Sequence, residues 1–135
     1  MSAFFLGGIV SYADEVKEAL LGVPAAVLAE HGAVSEPTAR AMAEGVRRRL
    51  GADVGVGITG IAGPGGATAT KPVGLVHIAV ATPAGVEARR DVWSDGRTEV
   101  RSASVKAALQ MVLEAISSQQ SAISSSRAEA LNAEG

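Results

Sequence analysis

Apolar positions cluster at the start of the chain, in the run Phe4-Phe-Leu-Gly-Gly-Ile-Val-Ser-Tyr12. A short apolar run that ends in β-branched residues predicts a buried strand over Phe4–Tyr12. A core strand opening so near residue 1 carries the expectation of a further segment upstream. The pattern then turns helical from Asp14 to Leu21 and breaks at Gly22-Val-Pro24. A second short helix is predicted from Pro24 to Glu30, with Gly32 as its stop signal.

The next helix has the clearest signals. Ser35 suits an N-cap, and Glu36 and Pro37 suit the first turn. Ala39, Met42, Ala43, Val46 and Leu50 fall on one face, Arg47, Arg48 and Arg49 mostly off it, and Gly51 ends the helix. Asp53–Thr59 alternates as a strand does, with Val54, Val56 and Ile58 on one side and Gly55 and Gly57 on the other. Bare glycines on one face let another backbone, or a ligand, approach closely. A loop of about a dozen residues runs to Pro72, longer than most connections in compact domains. A second buried strand is expected over Val73–Thr82, a turn at Pro83-Ala-Gly85, and a more charged edge strand over Val86–Ser94. From Arg97 to about Ser117 a long helix places Val100, Ser104, Ala107, Ala108, Met111 and Ala115 on one face. Ser118–Gly135 is rich in Ser, Gln, Ala and Glu and is expected to be a disordered tail, or at most a frayed helix. The pattern describes one layered α/β domain over residues 1–117, a mixed sheet flanked by helices.

Composition narrows this picture in three ways. Nearly half of the 135 residues are apolar but only four are aromatic, so the core is built from Val, Leu, Ile and Ala. A net charge of −2 gives no reason to expect a nucleic-acid or membrane-surface partner. The absence of cysteine excludes thiolate ligands and disulfides, and two histidines are too few for a histidine-rich metal site. The apolar start has no lysine or arginine before it and is shorter than the roughly 20 residues of a membrane span. A cytoplasmic protein is therefore expected.

The candidate chemistry lies in the loop Gly60-Ile-Ala-Gly-Pro-Gly-Gly66. It follows a strand end, where open α/β sheets place their ligands. Glycines leave backbone N–H groups bare for a phosphate, a carboxamide or an oxyanion. The competing reading is a surface loop whose glycines only serve turns. Gly55-Val-Gly-Ile-Thr-Gly60 matches the dinucleotide-binding pattern in letters, but it lies within a strand and has no acidic residue about 20 positions on. Lys71 precedes Pro72 and has no glycine directly before it, which excludes a phosphate-binding P-loop. Lys17, in the first turns of a helix after a buried strand and near Tyr12, can serve as a base if partly buried; a solvated lysine on an amphipathic helix is the alternative. Arg97 and Arg101 share a face at a helix start, against the dipole, which suggests an anionic partner such as phosphate, with surface ion pairs as the alternative. Thr59 is placed to hydrogen-bond a ligand, or is simply a β-former. His31 reads as a helix-end residue and His77 as a core histidine.

Taken together, Phe4–Tyr12, Glu15-Val-Lys17, Leu21-Gly-Val-Pro24, His31-Gly-Ala-Val-Ser-Glu36, Thr59-Gly-Ile-Ala-Gly-Pro-Gly-Gly66 and Lys71-Pro-Val-Gly74 resemble the C-terminal domain of the competence-damage-inducible protein CinA, from residue 3 to about 116. That family includes the nicotinamide-nucleotide amidohydrolase PncC. The resemblance implies hydrolysis of the carboxamide of nicotinamide mononucleotide to nicotinate mononucleotide and ammonia, with no metal or organic cofactor. It implies a serine nucleophile activated by a lysine base, and assigns Lys17 and Tyr12 to catalysis. Thr59, Gly60, Ile61, Ala62 and Gly63 match the segment lining the substrate, and Arg97 and Arg101 a basic pair for phosphate. The family's serine lies in an upstream Glu-Ser-Cys-Thr-Gly-Gly motif that this sequence does not contain. Ser11 stands six residues from Lys17 across a strand–helix junction and is not taken as its substitute. The expectations are an N-terminally truncated amidohydrolase or, alternatively, a non-catalytic nucleotide-binding or assembly module. Apolar surface left bare by the missing unit predicts a homo-oligomer.

Overall fold

A computed structural model describes residues 4–134. Helices α1 (Asp14–Leu21), α2 (Ala25–His31) and α3 (Glu36–Leu50) precede strands β1 (Gly55–Gly60), β2 (Leu75–Thr82) and β3 (Gly85–Val92), and α4 (Arg97–Glu134) closes the chain. The strands form one sheet in the order β1-β2-β3. Both pairings are antiparallel, Gly57 facing Ala79 and Ala79 facing Ala88. The layered α/β expectation holds, but no parallel pair occurs among the described strands. Consecutive strands joined by hairpin-type connections leave no crossover that would create one.

Side-chain alternation gives the sheet two apolar faces. Val76, Ile78 and Val80 pack against Val100, Ala107, Ala108 and Met111 of α4. On the other face Ala79 and Ala81 meet Ala39 and Ala43 of α3. β2 is buried on both sides, which is why its sequence lacks alternation. β3, at the edge, alternates and carries Arg89 hydrogen-bonded to Asp91 at 2.6 and 2.9 Å, a charged edge that resists further pairing.

Small residues make the α3 contact possible. A Cβ at Gly57 would stand 2.4 Å from the Ala39 carbonyl oxygen, and one at Gly55 2.2 Å from that of Ala43. The backbone that approaches the glycine face of β1 is thus the helix and not a ligand. Behind α3, Gly45 lies against the Leu21 backbone. Leu21, Val23, Leu28 and Met42 form a second core there, joined by Ile9. Ser35 caps α3, its Oγ accepting from Thr38 N at 3.3 Å, and Gly51 closes it in the left-handed conformation.

Two sequence expectations need correction. Phe4–Tyr12 is not a strand: it runs extended beside α3 and α1, with Phe4 94% and Tyr12 84% exposed. Ile9 joins the second core, Gly7 lies near Leu50, and the Ser11 and Tyr12 carbonyls accept from Lys17, but none of the described strands pairs with the run. Residues 118–134, expected to be disordered or at most a frayed helix, continue α4 as helix.

Candidate functional site

The end of β1 and the loop after it collect most of the predicted site residues. Ile61 N donates to Leu75 O (2.9 Å) and Gly74 N to Ile61 O (2.7 Å), so the loop leaves and re-enters the sheet between β1 and β2. Gly74, at φ 93°, lies where a Cβ would be 1.8 Å from the Trp93 carbonyl oxygen, so only glycine lets the loop close against the β3 end. Within the loop, Thr68 Oγ1 accepts from Lys71 N at 3.1 Å and the Gly63–Pro64 peptide is cis. Gly65 and Gly66 are exposed, and their N–H groups donate to no backbone carbonyl among the described residues.

Three side chains tie the loop and the strand end before it to the rest of the fold. Arg97, at the first position of α4, donates from Nη1 to Gly63 O at 3.2 Å. Lys71 Nζ donates to His31 O at 2.7 Å, which ties the loop to the end of α2. Thr59 Oγ1 donates to Ala33 O at 2.6 Å, which ties β1 to the connection between α2 and α3. In that connection the Thr38 hydroxyl donates to Gly32 O at 2.7 Å, and Ser35 Oγ lies 3.0 Å from it. The glycine loop, the capped start of α3 and the end of β1 therefore form one braced corner.

The corner revises several roles. The Thr59 proton is engaged by Ala33, so its hydroxyl faces a ligand only as an acceptor. Arg97 sits where expected, but its guanidinium holds the loop backbone. Arg101 is exposed one turn on, with no side-chain partner among the described residues. Gly60 and Ala62 are less buried than Ile61 and Gly63, so the loop alternates between anchoring and open positions. Lys71 and Ser35 were not read as site residues. The partners of Ser35 are local, Gly32 and Thr38, so only its place at this corner was hidden, whereas the Lys71 bond spans 40 positions and no local pattern signals such a contact.

His77 also belongs to this corner, since it pairs across the sheet with Thr59 and Arg90. It is 9% exposed, and its Nδ1 has no hydrogen-bond partner among the described residues. Burial, then the Arg90 charge, push its pKa below the usual imidazole value, with Glu36 opposing and Lys71 reinforcing the shift. The imidazole is accordingly held neutral at pH 7.

Lys17 stands apart from the corner. It is 4% exposed, which excludes the solvated-lysine reading, and no carboxylate among the described residues pairs with it. Its Nζ donates to the carbonyl of Ser11 in a short hydrogen bond and to that of Tyr12 at 3.4 Å. The Tyr12 contribution is thus its backbone, and its ring lies in solvent. The Ser11 carbonyl, not its hydroxyl, faces the amine. No hydrogen bond or ion pair among the described residues joins Lys17 to the glycine loop. An ammonium has three donor directions, and two are used here.

A groove of about 350 Å³ lies at the other end of β2, between the β2–β3 turn and α4, lined by Thr82, Gly85, Glu87 and Gln119 among others. Its lining includes Ser118 but no lysine. Among the described residues no group of three or more His, Cys, Asp or Glu is arranged to hold a metal, and no helix is long and apolar enough to cross a membrane.

Comparisons with known proteins agree with this architecture. The family model described as the CinA C-terminal domain matches residues 1–116. A CinA-like protein of Anaeromyxobacter dehalogenans (strain 2CP-C) is 58% identical over 105 residues, 78% of this chain and 26% of its own length. A CinA-like protein of Prochlorococcus marinus (strain MIT 9313) is 59% identical over 87 residues, 64% of this chain and 20% of its own length. Among solved structures, the competence/damage inducible protein CihA from Agrobacterium tumefaciens superposes with a TM-score of 0.74 at 45% identity, covering 77% of this chain and 64% of that one. A CinA superfamily protein from Enterobacter cloacae gives 0.76 at 34% identity, covering 79% and 63%. The chain thus spans about a quarter of the length of these curated relatives.

Proposed function

The chain belongs to the CinA C-terminal domain family, and from that premise we propose that it carries the lysine and substrate-loop half of an amidohydrolase site for nicotinamide mononucleotide. The observation that carries the reading is Lys17: a buried lysine with no carboxylate partner among the described residues, held by two backbone carbonyls. Burying an amine is costly unless its hydrogen bonds are met. A position that keeps one with a donor direction to spare fits an amine that handles a proton.

In this reading a serine hydroxyl attacks the carboxamide carbon and passes its proton to the Lys17 amine. The carbonyl oxygen becomes an oxyanion, for which bare glycine N–H groups such as those of Gly65 and Gly66 are suitable donors. The proton then moves to the departing nitrogen, ammonia leaves, and water hydrolyses the acyl intermediate to nicotinate mononucleotide. The serine is not among this chain's matching positions, so turnover depends on a nucleophile from outside this sequence. No metal or organic cofactor enters these steps. That no hydrogen bond or ion pair among the described residues joins Lys17 to the glycine loop favours a second reading, a nucleotide-binding or assembly module that keeps the fold without the chemistry.

Calorimetric titration with nicotinamide and nicotinate mononucleotides, beside an ammonia assay, tests both. We expect binding of nicotinamide mononucleotide with ammonia release far below that of an intact enzyme, and weaker binding in Lys17→Met. Lack of binding at millimolar ligand would sink the substrate assignment. Binding that Lys17→Met leaves unchanged would favour the module.

A further inference from the structure

Helix α3 lies on one face of the sheet over cross-strand rows of small residues, Gly57–Ala79–Ala88 and Gly55–Ala81–Val86. Residues directly opposite one another in a ladder share a face, so these rows leave room for a helix at close range. The next row toward the glycine loop is Thr59–His77–Arg90, and there the lining turns polar. The helix also begins there. Ala39 lies over Gly57, Glu36 stands one turn earlier, and the Ala33 carbonyl just before the helix accepts from Thr59. A polar row thus stands at the positive end of a 15-residue helix, beside the loop.

We infer that this row is an anion subsite, in which Arg90 supplies the cation and His77 a neutral donor for the oxygens of a phosphate monoester. Arg90 is exposed and makes no hydrogen bond or ion pair among the described residues. Its neighbour Arg89, on the opposite face of β3, is instead bound to Asp91 at 2.6 and 2.9 Å. His77 is the second feature. It is an imidazole at 9% exposure in a strand otherwise apolar from Leu75 to Ala81, and burying it with Nδ1 unpartnered is costly unless the ring serves a ligand. A proton on Nδ1 would be a buried donor with nothing to receive it. The neutral ring therefore carries its proton on Nε2, the nitrogen that is not sealed from solvent. The charges that act on the ring are Arg90 from β3, Lys71 from the loop and Glu36 from α3. Glu36 is itself paired with Arg40 at 3.2 Å, which leaves positive charge in excess. Lys71 Nζ spends one donor on His31 O and has two directions left. Arg97, by contrast, has its guanidinium committed to the Gly63 carbonyl. The subsite rests on the nucleotide reading above only for the source of the phosphate; free phosphate offers the same chemistry.

Calorimetric titration of the full chain tests the subsite with nicotinamide mononucleotide and with nicotinamide riboside, which lacks the phosphate. The proteins are the parent, Arg90→Gln and, as control, Arg89→Gln. Both variants remove one charge at neighbouring positions of an edge strand, on opposite faces. The expected result is a loss of mononucleotide affinity of about tenfold or more in Arg90→Gln, with riboside affinity unchanged and Arg89→Gln like the parent. Inorganic phosphate at about 10 mM should also shift the His77 ring resonances of the parent, and not those of Arg90→Gln. Phosphate that binds through Arg90 while the mononucleotide does not bind at all would keep the subsite and sink the substrate assignment. The subsite is overturned by a parent that does not respond to phosphate, or by a response that Arg90→Gln leaves intact. It is equally overturned if Arg90→Gln leaves mononucleotide affinity unchanged, or weakens riboside and mononucleotide alike.

Discussion

Replacing Gly57 with alanine probes the contact on which the site corner rests. The added methyl would stand 2.4 Å from Ala39 O, 2.8 Å from Ala43 N and 2.9 Å from Met42 Cβ. Two of these are backbone atoms of a hydrogen-bonded helix, so no rotamer change relieves the clash. Either α3 lifts off the sheet by about an ångström or β1 bends away. Overpacking of this kind costs about 1–3 kcal/mol, and the loss of close contact along Ala39, Ala43, Ala79 and Ala81 places Gly57→Ala at the upper end. For a domain of this size about 1 kcal/mol corresponds to roughly 3–5 °C in midpoint, so the thermal midpoint should fall by about 10 °C. Gly65→Ala is the control, since nothing lies within 4 Å of its Cβ position and its φ is not in the left-handed range. Circular-dichroism melting and urea denaturation of the three proteins give the comparison. Because the connection leading into α3 holds Thr59 through the Ala33 carbonyl, Gly57→Ala should weaken nucleotide binding, although it touches no ligand. A Gly57→Ala protein within about 0.5 kcal/mol of the parent would refute the close-packed helix. It would return that glycine face to the role of a ligand platform.

Two other outcomes follow from the same geometry. Arg97→Gln removes the hydrogen bond to Gly63 O and should loosen residues 63–70, seen as faster amide exchange there with the core unchanged; a global stability loss above about 1 kcal/mol would mean that Arg97 supports more than the loop. His77 is neutral when folded, with its pKa below 6.5, so the unfolded chain takes up more protons as the solution is acidified. Its contribution to stability is full above pH 6.5 and declines as pH falls from there to the lowered folded value. Urea denaturation at pH 7.5 and 5.5 should show that loss, and His77→Gln should flatten it; an equal slope in the variant would assign the pH dependence to other groups.

Local sequence determined much of this protein. The helix from Ser35 to Gly51 is specified by its cap, its first-turn acid and its apolar spacing, and the structure has it at Glu36–Leu50. The Pro83-Ala-Gly85 turn and the charged edge strand after it are as local, and so were the buried positions of the first half of α4. The family was legible because its motifs are themselves local strings. Tertiary structure decided what those strings do. Gly55 and Gly57 announced a close approach, but only the packing named α3 as what approaches. Arg97 announced a cation at a helix start, but its partner is a carbonyl 34 positions away. Phe4–Tyr12 has the pattern of a strand, yet a strand needs a neighbour's hydrogen bonds, which its own residues cannot supply. The Thr59–His77–Arg90 row was hidden by the same limit: alternation tells which side of a strand a residue faces, whereas the pairing of strands decides which residues stand beside it.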